Sequence, residues 1–233
     1  MDRRYLLTGL TAALALALDD QALAKVRRAA KAKLSDKVAQ DGLRQMLTQG
    51  AAAAVTQVSR TDGYWGDPAI RIPLPKPMAN MQKLLKPLGK SGLFDDLHLR
   101  MNRAAETAAP VAKGLFLDAI TSMTIKDAAG IIRGSNTAGT DYLQRTTTPR
   151  LTTAFTPPME SAMQATGAVD YLDRAIKRNN LQGIVKTDAK TYLGTYAVGL
   201  ALDGLFHYVG AEEIAIRRDP TKRATDLLRS LFG

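Results

Sequence analysis

Apolar residues along most of the chain recur at intervals of three and four, the spacing of one face of a helix. Leu43, Met46, Leu47, Ala51, Ala54, Val55 and Val58 follow it and predict a first firm helix over 38–60. Gly42 and Gly50 interrupt that helix, and Gly50 leaves room for a close helix crossing. The turn formers Thr61-Asp62-Gly63-Tyr64-Trp65-Gly66-Asp67-Pro68 end it. From 68 to 77 the pattern changes, and prolines alternate with Ile70, Ile72 and Leu74. Proline has no N–H to donate and drives the residue before it toward extended backbone, so this segment predicts an extended strap over an apolar groove.

Helical spacing resumes at 78–87 and at 91–108, where Leu93, Leu97, Met101, Ala104, Ala105 and Ala108 form the stripe. Pro110 restarts the chain into a helix at 111–121, and Thr124-Ile125-Lys126-Asp127 has capping-box spacing for another at 125–132. Gly134-Ser135-Asn136 supplies a loop and N-cap for a helix through about 137–147. Short helices are expected at 149–155, 157–165 and 168–180, the second opened by Thr156 before Pro157. A long helix near 188–215 presents Tyr192, Tyr196, Leu200, Leu205, Phe206 and Val209; Asp219-Pro220 opens a last one at 221–231. The expectation is an all-α, single domain of about eight to ten helices, several short, over 38–233. Composition agrees: alanine, the strongest helix former, occurs 36 times, and β-branched runs are nearly absent.

Residues 1–24 stand apart. Arg3 and Arg4 precede a nearly unbroken apolar run from Tyr5 to Leu18, and Ala22-Leu23-Ala24 offers a small-x-small cleavage site. This is the layout of an export signal. Its paired arginines also fit the twin-arginine type, so the export route stays open between that and the general one. Residues 25–37 form a basic lead-in carrying Lys25, Arg27, Arg28, Lys31, Lys33 and Lys37 against Asp36 alone. The formal net charge is +10. Loss of 1–24 removes two arginines and three aspartates, which leaves the remainder more basic still. A basic exported protein meets lipid, an anionic small molecule or an envelope protein rather than nucleic acid, and its positives are not interleaved with stacking aromatics. No later segment is apolar enough to make it an integral membrane protein.

The absence of cysteine excludes disulfides, thiolate metal sites and a cysteine nucleophile. Two histidines leave little for hydrolytic chemistry, and no nucleophile elbow, phosphate loop or dinucleotide fingerprint occurs. No catalytic residue, metal ligand or cofactor is assigned. His98 lies near Asp95 and Asp96, but a closed metal site needs a further ligand; His207, between Phe206 and Tyr208, reads as packed or interfacial. The candidate ligand-binding residues are Arg71, Asn102, Arg103, Glu106 and Asp118. Arg71 sits between two isoleucines of the strap, Asn102, Arg103 and Glu106 share one helical turn, and Asp118 lies among apolar residues. Buried charges seek one another, so Arg71 is expected within reach of Glu106 or Asp118.

These stretches carry a resemblance. Asp67 to Pro75, Met101 to Glu106, Phe116 to Ile120 with Met123-Thr124, Phe155-Thr156-Pro157, Ala201 to Phe206 with Glu212-Glu213, and the tail from Arg217 to Gly233 resemble the DUF4197 family, exported bacterial proteins of uncharacterised function. The likeness spans roughly 38–233. Where family members commonly place two acidic residues after the glycine at 134, this chain has Ser135-Asn136, which argues against an indispensable carboxylate there. The resemblance implies export and supplies no reaction. Three readings follow: a periplasmic or envelope-associated helical protein that binds an amphipathic or anionic ligand, a structural or protein-interaction module with no ligand, and a carboxylate-based enzyme.

Overall fold

The computed structural model describes residues 36–165 and 189–222, with 167, 169–170, 173–174 and 177 between them. The expected export signal, nearly all of the expected basic lead-in, and most of the helices expected at 168–180 and 221–231 lie outside the described residues. Seven α-helices are delimited among the described residues, and no strand. They are α1 (36–59), α2 (Lys76–Leu85, continued by a 3-10 turn at Lys86–Leu88), α3 (Gly92–Ala108), α4 (Val111–Thr121), α5 (Ile125–Arg133), α6 (Ala138–Ala165) and α7 (Ala189–Arg218). A 3-10 turn at Pro220–Lys222 follows, its first amides met by Asp219, whose Oδ1 accepts from Thr221 N at 2.9 Å.

The centre of the molecule is the α6–α7 pair, on which α3, α4 and α5 also pack. Leu143, Thr147, Leu151, Phe155, Met159 and Met163 of α6 are buried, as are Leu193, Ala197, Ala201, Leu205, Val209 and Glu213 of α7. Every step in both rows is four residues, the i±4 ridge that interdigitates when two helices cross closely. The pairing is antiparallel: the α6 start meets the α7 end through Gly139 and Glu213, while Glu160 near the α6 end meets Lys190 at 2.8 Å.

Three helices were expected where α6 runs unbroken through Pro149, Pro157 and Pro158. An interior proline costs about 3 kcal/mol, whereas burying each of Leu151, Phe155 and Met159 contributes about 1.5–3 kcal/mol. Breaking the helix would have disrupted the buried row, so packing wins. Threonines on the same helix satisfy carbonyls near the first proline: Thr146, Thr147 and Thr148 donate to Tyr142, Leu143 and Gln144. The start of α2 moved for a related reason. Pro77, expected to close the strap, lies in the first turn of the helix, where its missing N–H has no partner to lose.

The α5 capping box forms as its spacing predicts, with Thr124 and Asp127 exchanging side-chain-to-backbone bonds. The cap of α6 is different. Ser135 takes only the first amide, accepting from Ala138 N with its backbone carbonyl at 3.2 Å; Glu213, from the far end of α7, accepts from Gly139 N at 3.0 Å and Thr140 N at 2.7 Å. Glu213 is 2% exposed and is paired with Arg217 at 2.8 Å. A Cβ at Gly139 would fall 2.4 Å from Leu47 Cδ2 and 2.9 Å from Glu213 Oε1, so only glycine lets α1, α6 and α7 meet here. From α1, Gln40 and Arg44 donate to the Met123 and Thr121 carbonyls, satisfying the exposed end of α4.

Candidate functional site

Chain leaving α1 turns sharply at 61–66, then crosses α3 and α7 before α2 begins. Asp62 adopts a left-handed conformation (φ 65°), which its short polar side chain tolerates better than most. Residues 71–75 carry no helix or strand, and Ile70, Ile72, Leu74 and Tyr64 are buried. Tyr64 donates to the Ala201 carbonyl at 2.6 Å. Burial, helped by the negative charge of Glu106, pushes its phenol far above the ordinary range, so it stays neutral. Gly204 of α7 gives this segment room, since a Cβ there would fall 2.8 Å from the Tyr64 ring.

One face of α3 fastens the segment by its backbone. Glu106, buried, accepts from the amides of Tyr64 and Trp65, each at 3.1 Å. Arg103 bridges Glu106 (2.7 Å) and Asp62 (2.8 Å), tying the turn to the helix a second time. One turn earlier, Asn102 is fully buried and meets Ile72 as a neighbouring strand would: its Oδ1 accepts from Ile72 N at 2.8 Å and its Nδ2 donates to Ile72 O at 3.0 Å. Asp67 folds the next bend. It accepts from Ala69 N at 2.9 Å and from the Tyr208 hydroxyl, and these bonds hold its carboxyl below the ordinary range while raising the Tyr208 phenol.

The fastened segment forms one wall of an open groove of about 700 Å³, lined by Trp65, Arg71, Gln82, Lys86, Asp95 and His98 among others. Arg71 is exposed; its Nε donates to the Trp65 carbonyl at 2.5 Å, and its guanidinium lies over the indole, 5.2 Å from the ring centre. Trp65 is held edge-on against His98, with ring centres 4.9 Å apart. Desolvation, with the positive charge of Arg71 beside it, lowers the His98 pKa from its ordinary value; the Ile72 backbone and Asp95 act weakly the other way. His98 Nε2 is buried and has no hydrogen-bond partner. Asp95 accepts from Ser91 and Gln82, both at 2.6 Å, which lowers its pKa and fixes the groove floor.

The five candidate residues therefore separate. Asn102, Arg103 and Glu106 come together as expected, but as fastenings of the 62–72 segment. Arg71 meets neither expected carboxylate: Glu106 is paired by Arg103, and Arg71 pairs with Trp65 instead. Asp118 is exposed and bound to Arg150 of α6 at 3.0 Å, because its turn of α4 faces outward with Leu117. His207 is likewise exposed, stacked edge-on to Tyr208 at 5.5 Å. Asp95 and Asp96 are engaged by other partners, Asp96 by Arg100 at 3.0 Å, so they do not converge on His98.

Every groove residue named above except Arg71 lies outside the five candidate binding residues, Trp65, Lys86 and His98 among them. A signal existed for His98, which precedes Asn102 by four residues and so shares its helical face. Trp65 is the sole tryptophan and sits in the turn-rich stretch before the prolines. No described helix is long and apolar enough to cross a membrane.

The model of one protein family, DUF4197, described as a protein of unknown function, matches residues 33–233. No curated protein and no solved structure matches the chain.

Proposed function

We propose, from the premise that the chain belongs to the DUF4197 family, that it is an exported, envelope-associated protein whose groove binds an anionic ligand. The observation that supports this reading is the state of Arg71. Its Nε is tied to the Trp65 carbonyl and its guanidinium lies over the indole, while its terminal nitrogens carry no hydrogen bond among the described residues. A guanidinium fixed at one end and open at the other is organised to receive a carboxylate or phosphate by its free fork. Lys86 adds a second positive charge to the same groove. The ligand chemistry that suits this set is a phosphate- or carboxylate-bearing group attached to a hydrogen-bonding or apolar body.

Binding fits these residues better than turnover does. Glu106 and Asn102, the polar side chains that fasten the groove wall, are engaged by backbone groups and, for Glu106, by Arg103 as well. Asp118, the other carboxylate of the enzyme reading, is on a separate surface with Arg150. Export rests on residues 1–24 and on the family's character.

The test is native mass spectrometry of protein isolated from the envelope fraction of its own host. A copurifying acidic molecule that is displaced by excess inorganic phosphate is the expected result. Bare polypeptide together with a Trp65 emission that inorganic phosphate leaves unchanged would overturn the reading.

A further inference from the structure

The segment from Lys76 to Lys90 has a composition unlike its surroundings. It carries Lys76, Lys83, Lys86 and Lys90 and not one acidic residue. All four lysines are exposed. Its helix, α2, buries Met78 and packs Ala79 and Leu85 against the core, which accounts for one face. The opposite face is apolar as well. Leu84 is 67% exposed and Leu88 65% exposed, with Met81 beside them at 36%. Leu84 and Leu88 stand four residues apart, and Gly89, in the left-handed conformation (φ 66°), ends the 3-10 turn.

An exposed aliphatic pair costs solubility and contributes nothing to the fold. Flanked by lysines, with no acidic residue in its own segment and with Asp95 already engaged by Ser91 and Gln82, it has the form of an interfacial element: leucines enter the headgroup boundary while lysines meet anionic lipid. A polyanion such as nucleic acid would be satisfied by the lysines and would leave the leucines without a role. A folded protein partner would ordinarily answer four lysines with a matched acidic patch and gains no advantage from leucines at the tip of an elbow. The pairing of both features on one exposed turn favours a lipid surface.

We infer that the Lys76–Lys90 elbow docks the protein on an anionic lipid surface, with Leu84 and Leu88 inserted and Lys76, Lys83, Lys86 and Lys90 on the headgroups. The inference rests on the envelope location proposed above and extends the groove reading, since Gln82 and Lys86 of the elbow also line the groove. It needs no ligand in that groove. Each lysine held near an anionic surface is worth about a fivefold factor in affinity, so the charge dependence should be steep.

The experiment is cosedimentation of the protein with large unilamellar vesicles of phosphatidylcholine containing 30% phosphatidylglycerol, against pure phosphatidylcholine. Strong binding to the first, with at least tenfold weaker binding to the second, is expected. L84S/L88S, both changes at exposed positions, should lower binding to the anionic vesicles at least tenfold with an unchanged urea midpoint. Arg71→Ala should retain vesicle binding while losing the phosphate response of Trp65, which separates failure of the docking from failure of the groove reading. Equal binding to both vesicle types, no binding to either, or full binding by L84S/L88S would overturn the inference.

Discussion

Asn102 holds Ile72 by both of its backbone groups, from a position with no exposure to solvent. Asn102→Ala leaves a buried N–H and a buried carbonyl unpaired, each costing about 1–3 kcal/mol. Urea unfolding of that variant should show a loss of about 2–4 kcal/mol; a loss under 1 kcal/mol would mean that the 62–75 segment is fastened elsewhere. His98 makes a prediction of opposite sign. Its folded pKa lies below its ordinary value of 6.5 because burial and Arg71 disfavour the imidazolium. The unfolded chain therefore takes up the proton first, and the stability this residue contributes is full above about pH 6.5 and is lost as pH falls below it. Stability measured from pH 7.5 down to pH 5 should fall for the wild type and fall less for His98→Gln. Parallel curves for the two proteins would contradict the assignment.

At the scale of helices, periodicity predicted most of what formed and failed where two rules competed. Spacing and caps located α1, α3, α4, α5 and α7 within a few residues, because each has one buried face and a recognisable stop. They divided α6 wrongly. Local preference sees Pro149 and Pro157, whereas the row from Leu143 to Met163 becomes decisive only once α7 lies against it. The trans cap was invisible for the same reason, since nothing near Gly139 in sequence announces Glu213. The polar group on α3 was legible as a group because Asn102, Arg103 and Glu106 share a turn. Its role was not, since the groups it binds are backbone amides that carry no sequence mark. Two substitutions probe these elements. Gly139→Ala should destabilise by about 2–4 kcal/mol, since its methyl must displace Leu47 or Glu213. Pro149→Ala, at an exposed site, should raise stability by about 1 kcal/mol in thermal unfolding by adding a helix-interior N–H. Destabilisation by that change would show that α6 needs a proline there.

Among the described residues, the molecule is a helical body that presents the irregular 61–75 segment at its surface. The central helix pair forms the body, α3 fastens residues 62–72 to it, and the fastened segment displays Trp65 and Arg71 beside Lys86. The central claim is that Arg71 belongs to the groove and not to the fold. Trp65, the only tryptophan, lies directly beneath Arg71 and reports on it. The most direct measurement is an inorganic phosphate titration of Trp65 emission at pH 7 on wild type and Arg71→Ala, paired with the urea midpoint of each protein. The account predicts a saturable response for the wild type, a flat one for Arg71→Ala, and stabilities within about 0.5 kcal/mol, as for a surface substitution. An undiminished response in Arg71→Ala, or a stability loss of about 2–4 kcal/mol such as follows removal of one partner from a buried ion pair, would contradict it.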